Sequence, residues 1–173
     1  MQIKRSALIT LLLFAFLSCR NEADSALEQE IAALNTIEKR KAYLEAINDD
    51  DQGVRQGNTE GKKMMQADAT NMQKIAKYLE MYGYPKRAEV GKIAALTPWL
   101  VIHHQPSYNN DEIRHRYFPM LYQAYRDGDL EGSAFWLFLD RMYYFEHGER
   151  FKMKSPYMEA DAIDSMIQVL NLK

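Results

Sequence analysis

The sequence predicts an all-α fold, a single compact domain of about six helices behind a short leader. Apolar residues recur at three- and four-residue intervals, glycines and prolines punctuate those runs, and no convincing pair of strands can be read. With 173 residues, 47% of them hydrophobic and 27% charged, the chain can bury one sizeable core and does not have a disordered composition. A formal net charge of -2 and the lack of a basic stripe give no support for a nucleic-acid partner.

Residues 1–18 read as a lipoprotein signal peptide. Lys4 and Arg5 precede an apolar run from Ala7 to Leu17, which is too short for an ordinary membrane-spanning helix. The run ends in Phe16-Leu17-Ser18-Cys19, similar to a lipobox, with Leu17 where a small residue is usual. Cys19 is the only cysteine, so the expectation is lipidation at Cys19, with the membrane as a partner through that lipid. A plain secretory signal or a short anchor is the alternative. Residues 19–24 would then be a lipidated tether and residues 25–173 a helical domain without thiol or disulfide. Arg20 rather than Asp follows the cysteine, so there is no inner-membrane retention signal. The expected location is the envelope of a Gram-negative bacterium, at the outer membrane, with the face left open.

Each helix has its own signal. Ser25 and Glu28 have capping-box spacing before Leu27, Ile31, Leu34, Ile37, Leu44 and Ile47, which predict helix one. The polar text from Asn48 to Thr59 predicts a loop or a broken helix. Helix two runs from about Glu60 to Tyr82 with Met65, Met72, Ile75, Leu79 and Tyr82 inward, and ends at Gly83 before Pro85. Helix three begins near Lys86. Gly91 inside it suggests close approach of another backbone or a ligand, and Pro98 either kinks it or, capped by Thr97, starts another. Its apolar end, Trp99 to Ile102, is followed by His103 and His104. Asn109 or Asn110 can cap helix four, with Ile113, Tyr117, Leu121 and Ala124 on one face, a kink or restart at Pro119 and an end at Gly128. Helix five covers about Leu130 to Glu146 and ends at Gly148. A short irregular piece and Ser155-Pro156 lead into helix six, with Ile163, Met166, Ile167 and Leu170 inward.

Four polar sets need explaining. Asp51, Gln52 and Arg55 would share a helix face if the loop contains a helical turn, since Asp and Arg stand four apart; a solvated ion pair is the bland alternative. His103 and His104 point about 100° apart on a helix and, with His115, lack ligand spacing, so no metal site is expected. One of them can be a buried histidine bonded to a carbonyl or an Asp, and the other a general base. Asp140-Arg141 follows an apolar run, so at least one faces inward, with Arg55 or a histidine as the expected partner of Asp140. The group from Tyr143 to Arg150 reads as a solvated surface. No phosphate loop, dinucleotide motif, nucleophile elbow or cysteine nucleophile is present, and no cofactor is implied.

The order D-Q-x-x-R at Asp51 to Arg55, Y-G-Y-P ending at Pro85, V-G at Val90-Gly91, W-L-V-I-H-H ending at His104, and D-R at Asp140-Arg141 resembles an uncharacterised bacterial family. Its members read DQxxR, GWP, VG, QHA and LxDR and often occur as secreted or lipoprotein chains. The resemblance covers about Ile37 to Leu172. It implies a fold and a candidate binding set of Asp51, Gln52, Arg55, Tyr84, His103, His104, Asp140 and Arg141, and supplies no reaction. Tyr84 stands for the family's Trp, and His103 for its Gln. R-F-K-M-K-S from Arg150 to Ser155 replaces a polar Q-x-Y-G-T-Q segment, and the later paired arginines are missing.

The leading expectation is therefore a lipid-anchored envelope protein that binds a ligand or partner. One alternative is a hydrolase-like enzyme with His104, Asp140 and Arg141 as candidate catalytic residues and Arg55 assisting. The other is a purely structural envelope protein, which predicts no concave polar site.

Overall fold

A computed structural model describes residues 24–56, 61–106, 111–152 and 159–172. The leader, Cys19, the Asn109 and Asn110 caps and Ser155-Pro156 lie outside the described residues. The fold is all-α, with eight helices among the described residues where about six were expected. They are α1 (24–32), α2 (Ile37–Gly53), α3 (Gly61–Tyr82), α4 (Arg87–Val90), α5 (Lys92–His104), α6 (Glu112–Arg126), α7 (Gly132–His147) and α8 (Glu159–Val169). No strand occurs among the described residues.

The extra helices come from two breaks. The expected first helix divides because Leu34 N–H turns back to the Ile31 carbonyl, and Thr36 then caps α2 by accepting from Lys39 N–H at 3.3 Å. Asp24 and Ser25 are already helical, so Ser25 is inside a helix rather than its cap. The expected third helix divides at Gly91, whose φ of 85° and ψ of 173° suit glycine almost alone. A Cβ built there meets nothing within 4 Å. The glycine therefore serves the backbone conformation, and among the described residues no other backbone comes close to it.

Both internal prolines are accommodated within their helices. Pro98 lies inside α5 and Pro119 inside α6. Thr97 is not a cap, since its hydroxyl donates to the Ile93 carbonyl at 2.9 Å. The polar text after Asn48 also stays helical, with α2 continuing to Gly53.

α5 is the central element and touches α2, α3, α4, α6 and α7. Its low polarity follows from that position, with Ala94, Ala95, Val101 and Ile102 almost fully buried. Leu44 and Ile47 of α2, Ile75 and Leu79 of α3, Leu121 of α6 and Phe138 and Leu139 of α7 complete one core with them. Each such large side chain contributes about 1.5–3 kcal/mol on burial. α8 adds Ile163, Met166 and Ile167 against α7, as its spacing predicts. Met65, expected inward, is 58% exposed. The buried face of α3 instead runs Asp68, Asn71, Ile75, Tyr78 and Leu79, so its first half is polar. Two charges thus enter the interior beside the end of α5, Asp68 from α3 and Asp51 from α2.

Candidate functional site

The end of α5 gathers most of the polar residues singled out in the sequence. Asp51, in the last turn of α2, is fully buried. His104 Nδ1 lies 2.9 Å from Asp51 Oδ2 and 3.1 Å from Oδ1. Gln52 Nε2 donates to Oδ2 at 2.8 Å, and Arg55 Nη1 lies 3.2 Å from Oδ1 and donates to the Asp51 carbonyl at 2.7 Å. Burial pushes the Asp51 carboxyl up, but His104, Gln52 and Arg55 together outweigh it and hold the group below its ordinary value. An ionised Asp51 places the proton on His104 Nδ1 and leaves Nε2 as the acceptor in the neutral ring. Nε2 makes no hydrogen bond among the described residues. Asp51 and Arg55 are thus joined at the four-residue spacing the sequence suggested.

Arg55 also reaches α3, where Nη2 donates to Asp68 at 2.5 Å. Gln105 Nε2 donates to the Asp68 and Val101 carbonyls, both at 3.1 Å. Arg114 of α6 has no exposed surface. It pairs with Asp111 and donates to the carbonyls of Gln105 and, at 2.8 Å, His103. Arg141 of α7 donates to the same His103 carbonyl at 2.5 Å. These guanidiniums satisfy carbonyls left open where α5 ends and oppose the negative end of its dipole.

His103 has a different environment from His104. Its ring stacks on Trp99 with centroids 5.0 Å apart, and its Nδ1 is buried with no hydrogen-bond partner among the described residues. Burial first, then Arg141, His104, Arg114 and Arg150, depress its pKa to about 3, so it is neutral and unsuited to act as a base near neutral pH.

Asp140 corrects the sequence expectation. Its partner is neither Arg55 nor a histidine: Arg150 Nη1 donates to Oδ2 at 2.5 Å and Phe151 N–H to Oδ1 at 2.9 Å. The turn at Gly148, with φ of 74°, brings this strap back against α7, so Arg150 is not part of a merely solvated surface. Tyr84 is the other departure. No hydrogen bond or ion pair links it to the histidines; its hydroxyl is buried without a partner among the described residues, and burial, with Asp129 nearby, raises its pKa. It packs on the core as an aromatic side chain.

As site residues, the sequence reading missed Asp68, Gln105, Asp111 and Arg114, and it placed Arg150 on a solvated surface. Two had a usable signal. Asp68 stands seven before Ile75 on the buried face of α3, beside the polar Asn71, and Arg114 seven before Leu121 on the otherwise apolar buried face of α6, each a charge at core spacing.

Arg141 differs from the other guanidiniums here. Arg55 faces Asp51 and Asp68, Arg114 faces Asp111, and Arg150 faces Asp140. Among the described residues no carboxylate lies within 4.0 Å of Arg141. Its own pKa is lowered, by burial first and then by Arg114 and Arg150. A groove of about 740 Å³ between α1, α3 and α6, lined by residues such as Leu27, Thr70 and Tyr117, includes none of these groups. Among the described residues there is no group of three or more His, Cys, Asp or Glu that could hold a metal ion, and no helix long and apolar enough to cross a membrane. No family model, curated protein or solved structure matches the chain.

Proposed function

We propose that this chain is a lipid-anchored envelope protein whose helical domain binds a ligand with an anionic group, carboxylate or phosphate, at the end of α5. Arg141 carries the reading. It is a partly buried guanidinium with one hydrogen bond among the described residues, to the His103 carbonyl, no carboxylate within 4.0 Å among them, and like charges on Arg114, Arg150 and Arg55 around it that the more distant Asp111 offsets only in part. An anion would supply the missing charge-assisted hydrogen bonds, and guanidinium is the side chain best shaped to give them in pairs. The anchor rests on Cys19 after its apolar run. The resemblance to the DQxxR family belongs to the same proposal and names no ligand.

The test titrates inorganic phosphate and succinate against the full chain at low salt and follows the unfolding midpoint. Saturable stabilisation that disappears in Arg141→Gln is the expected result. No stabilisation of wild type, or the same stabilisation in Arg141→Gln, overturns the reading. Lipid labelling of the chain in cells, lost in Cys19→Ala, tests the anchor; an unlabelled wild-type chain removes it.

One observation favours a hydrolytic reading. His104 is held through Nδ1 by a buried carboxylate and has Nε2 without a protein partner among the described residues, the arrangement of a general base with its orienting group. In this reading Asp51, rather than Asp140, orients His104. Arg55 braces Asp51, and Arg141 is left for substrate. Turnover of nitrophenyl esters or phosphates above the buffer rate, lost in His104→Gln, is expected; single-turnover or absent release returns the site to binding alone. The purely structural reading predicts that neither assay responds.

A further inference from the structure

A second concave region lies behind Arg114, away from the His104–Asp51 pair. It is a cavity of about 590 Å³ bounded by α6, α7 and the end of α8, a size that suits a small organic ligand. Asp111 is its most informative wall. The residue is only 5% exposed, Arg114 occupies Oδ1, and Oδ2 is buried with no hydrogen-bond partner among the described residues. Leaving such an oxygen unsatisfied is costly, and a ligand donor would remove that cost. Burial raises the Asp111 pKa, and Arg114 offsets part of that effect.

The remaining lining narrows the donor. Glu146 adds a second carboxylate, whose nearest basic group, His147 Nε2, is 4.0 Å away and too far for a hydrogen bond. Met142 and Leu170 are buried apolar walls, and Phe145 adds a more exposed ring to the lining. His115 is the one basic side chain on the lining.

We propose that this cavity is a second binding site, taking a small monoamine whose ammonium group bonds Asp111 Oδ2 and faces Glu146 while its apolar body packs on Met142 and Leu170. The positive charges already present limit the choice. Arg114 lies 5.1 Å and Arg141 6.0 Å from the Phe145 ring centroid, so the second charge of a diamine would meet them across that ring. Arg114 itself is occupied by Asp111 and the two α5 carbonyls, which leaves the ammonium one carboxylate oxygen and the rim acid.

The test measures phenethylamine, phenethyl alcohol and 1,4-diaminobutane binding to the purified full chain by calorimetry. Saturable amine binding is expected, with the alcohol and the diamine weaker by roughly tenfold or more, the scale of one charge-assisted hydrogen bond. Glu146→Gln, an exposed change that leaves the fold intact, should weaken the amine several-fold, and Asp111→Asn more. Arg141→Gln should keep amine binding, which separates this site from the anion site. Equal binding of amine and alcohol, amine binding unchanged in both acid variants, or no saturable amine binding overturns the proposal.

Discussion

At the C-terminal end of α5 the interior is built from charges; between α6 and α7 it is built from rings. Arg114 and Asp51 are as buried as Phe135, but Arg114 Nη1 and Nη2 and the two Asp51 carboxylate oxygens each depend on designated partners whose loss nothing nearby can make good. Phe135 instead lies 5.0 Å from Tyr125, 5.9 Å from Tyr122, 6.1 Å from Phe138 and 6.2 Å from Phe118 by ring centroids. Those contacts are numerous and individually weak, so a changed shape can be shared among them. The polar end therefore gives one geometry with no slack, and the aromatic layer gives stability with tolerance.

The sharpest way to break this contrast is Arg114→Met, which keeps volume but orphans Asp111 and the Gln105 carbonyl. It should cost about 3–5 kcal/mol in urea unfolding; a loss near zero would mean the buried charges are not mutually required. Asp51→Asn comes next, at about 1.5–3 kcal/mol near neutral pH, the worth of hydrogen bonds to a charged group. The folded-state pKa of Asp51 lies below its ordinary 3.8. Its contribution is therefore complete above that value and lost as pH falls through the folded pKa. The stability gap between wild type and Asp51→Asn should narrow only in strong acid; a gap that is flat with pH contradicts the pairing.

His103 acts earlier in the same titration. Its pKa falls from 6.5 to about 3 on folding, so between those values the unfolded chain binds the extra proton and stability declines with acid. His103→Asn should differ little near neutral pH and flatten that decline, as read from melting midpoints across the interval. Phe135→Leu should give the smallest effect of the set, below about 1.5 kcal/mol if the surrounding rings repack. A loss as large as that of Arg114→Met would erase the distinction between the two regions.

The same contrast explains what could be read from the letters. Ile75, Leu79, Leu121, Ile163 and Met166 announce their burial by spacing, because one helical face meets one core. Asp51 and Arg55 were legible as a pair because their partnership is local. The rest depends on chain reversals. Asn48 to Thr59 reads as a loop or a broken helix, yet its first part stays helical to Gly53, which sets Asp51 against His104 across the fold. Arg114 and Arg141 share the carbonyl of His103, a backbone atom that no residue letter advertises. Asp140 meets Arg150 only because Gly148 turns the chain back.

The placement of α8 has a further consequence. Among α2 to α8 it alone has a single helical neighbour, α7, whereas α5 is enclosed by five. Detaching α8 breaks one interface and leaves the α5 core closed; displacing α5 opens everything at once. Amide hydrogens of α8 should therefore exchange through a shallow local opening, while those of α5 wait for global unfolding. Leu170, just beyond α8, is also a wall of the cavity under Asp111. A hinged α8 would then be the door of that cavity, and an amine held inside would slow exchange along α8 without touching most of its length.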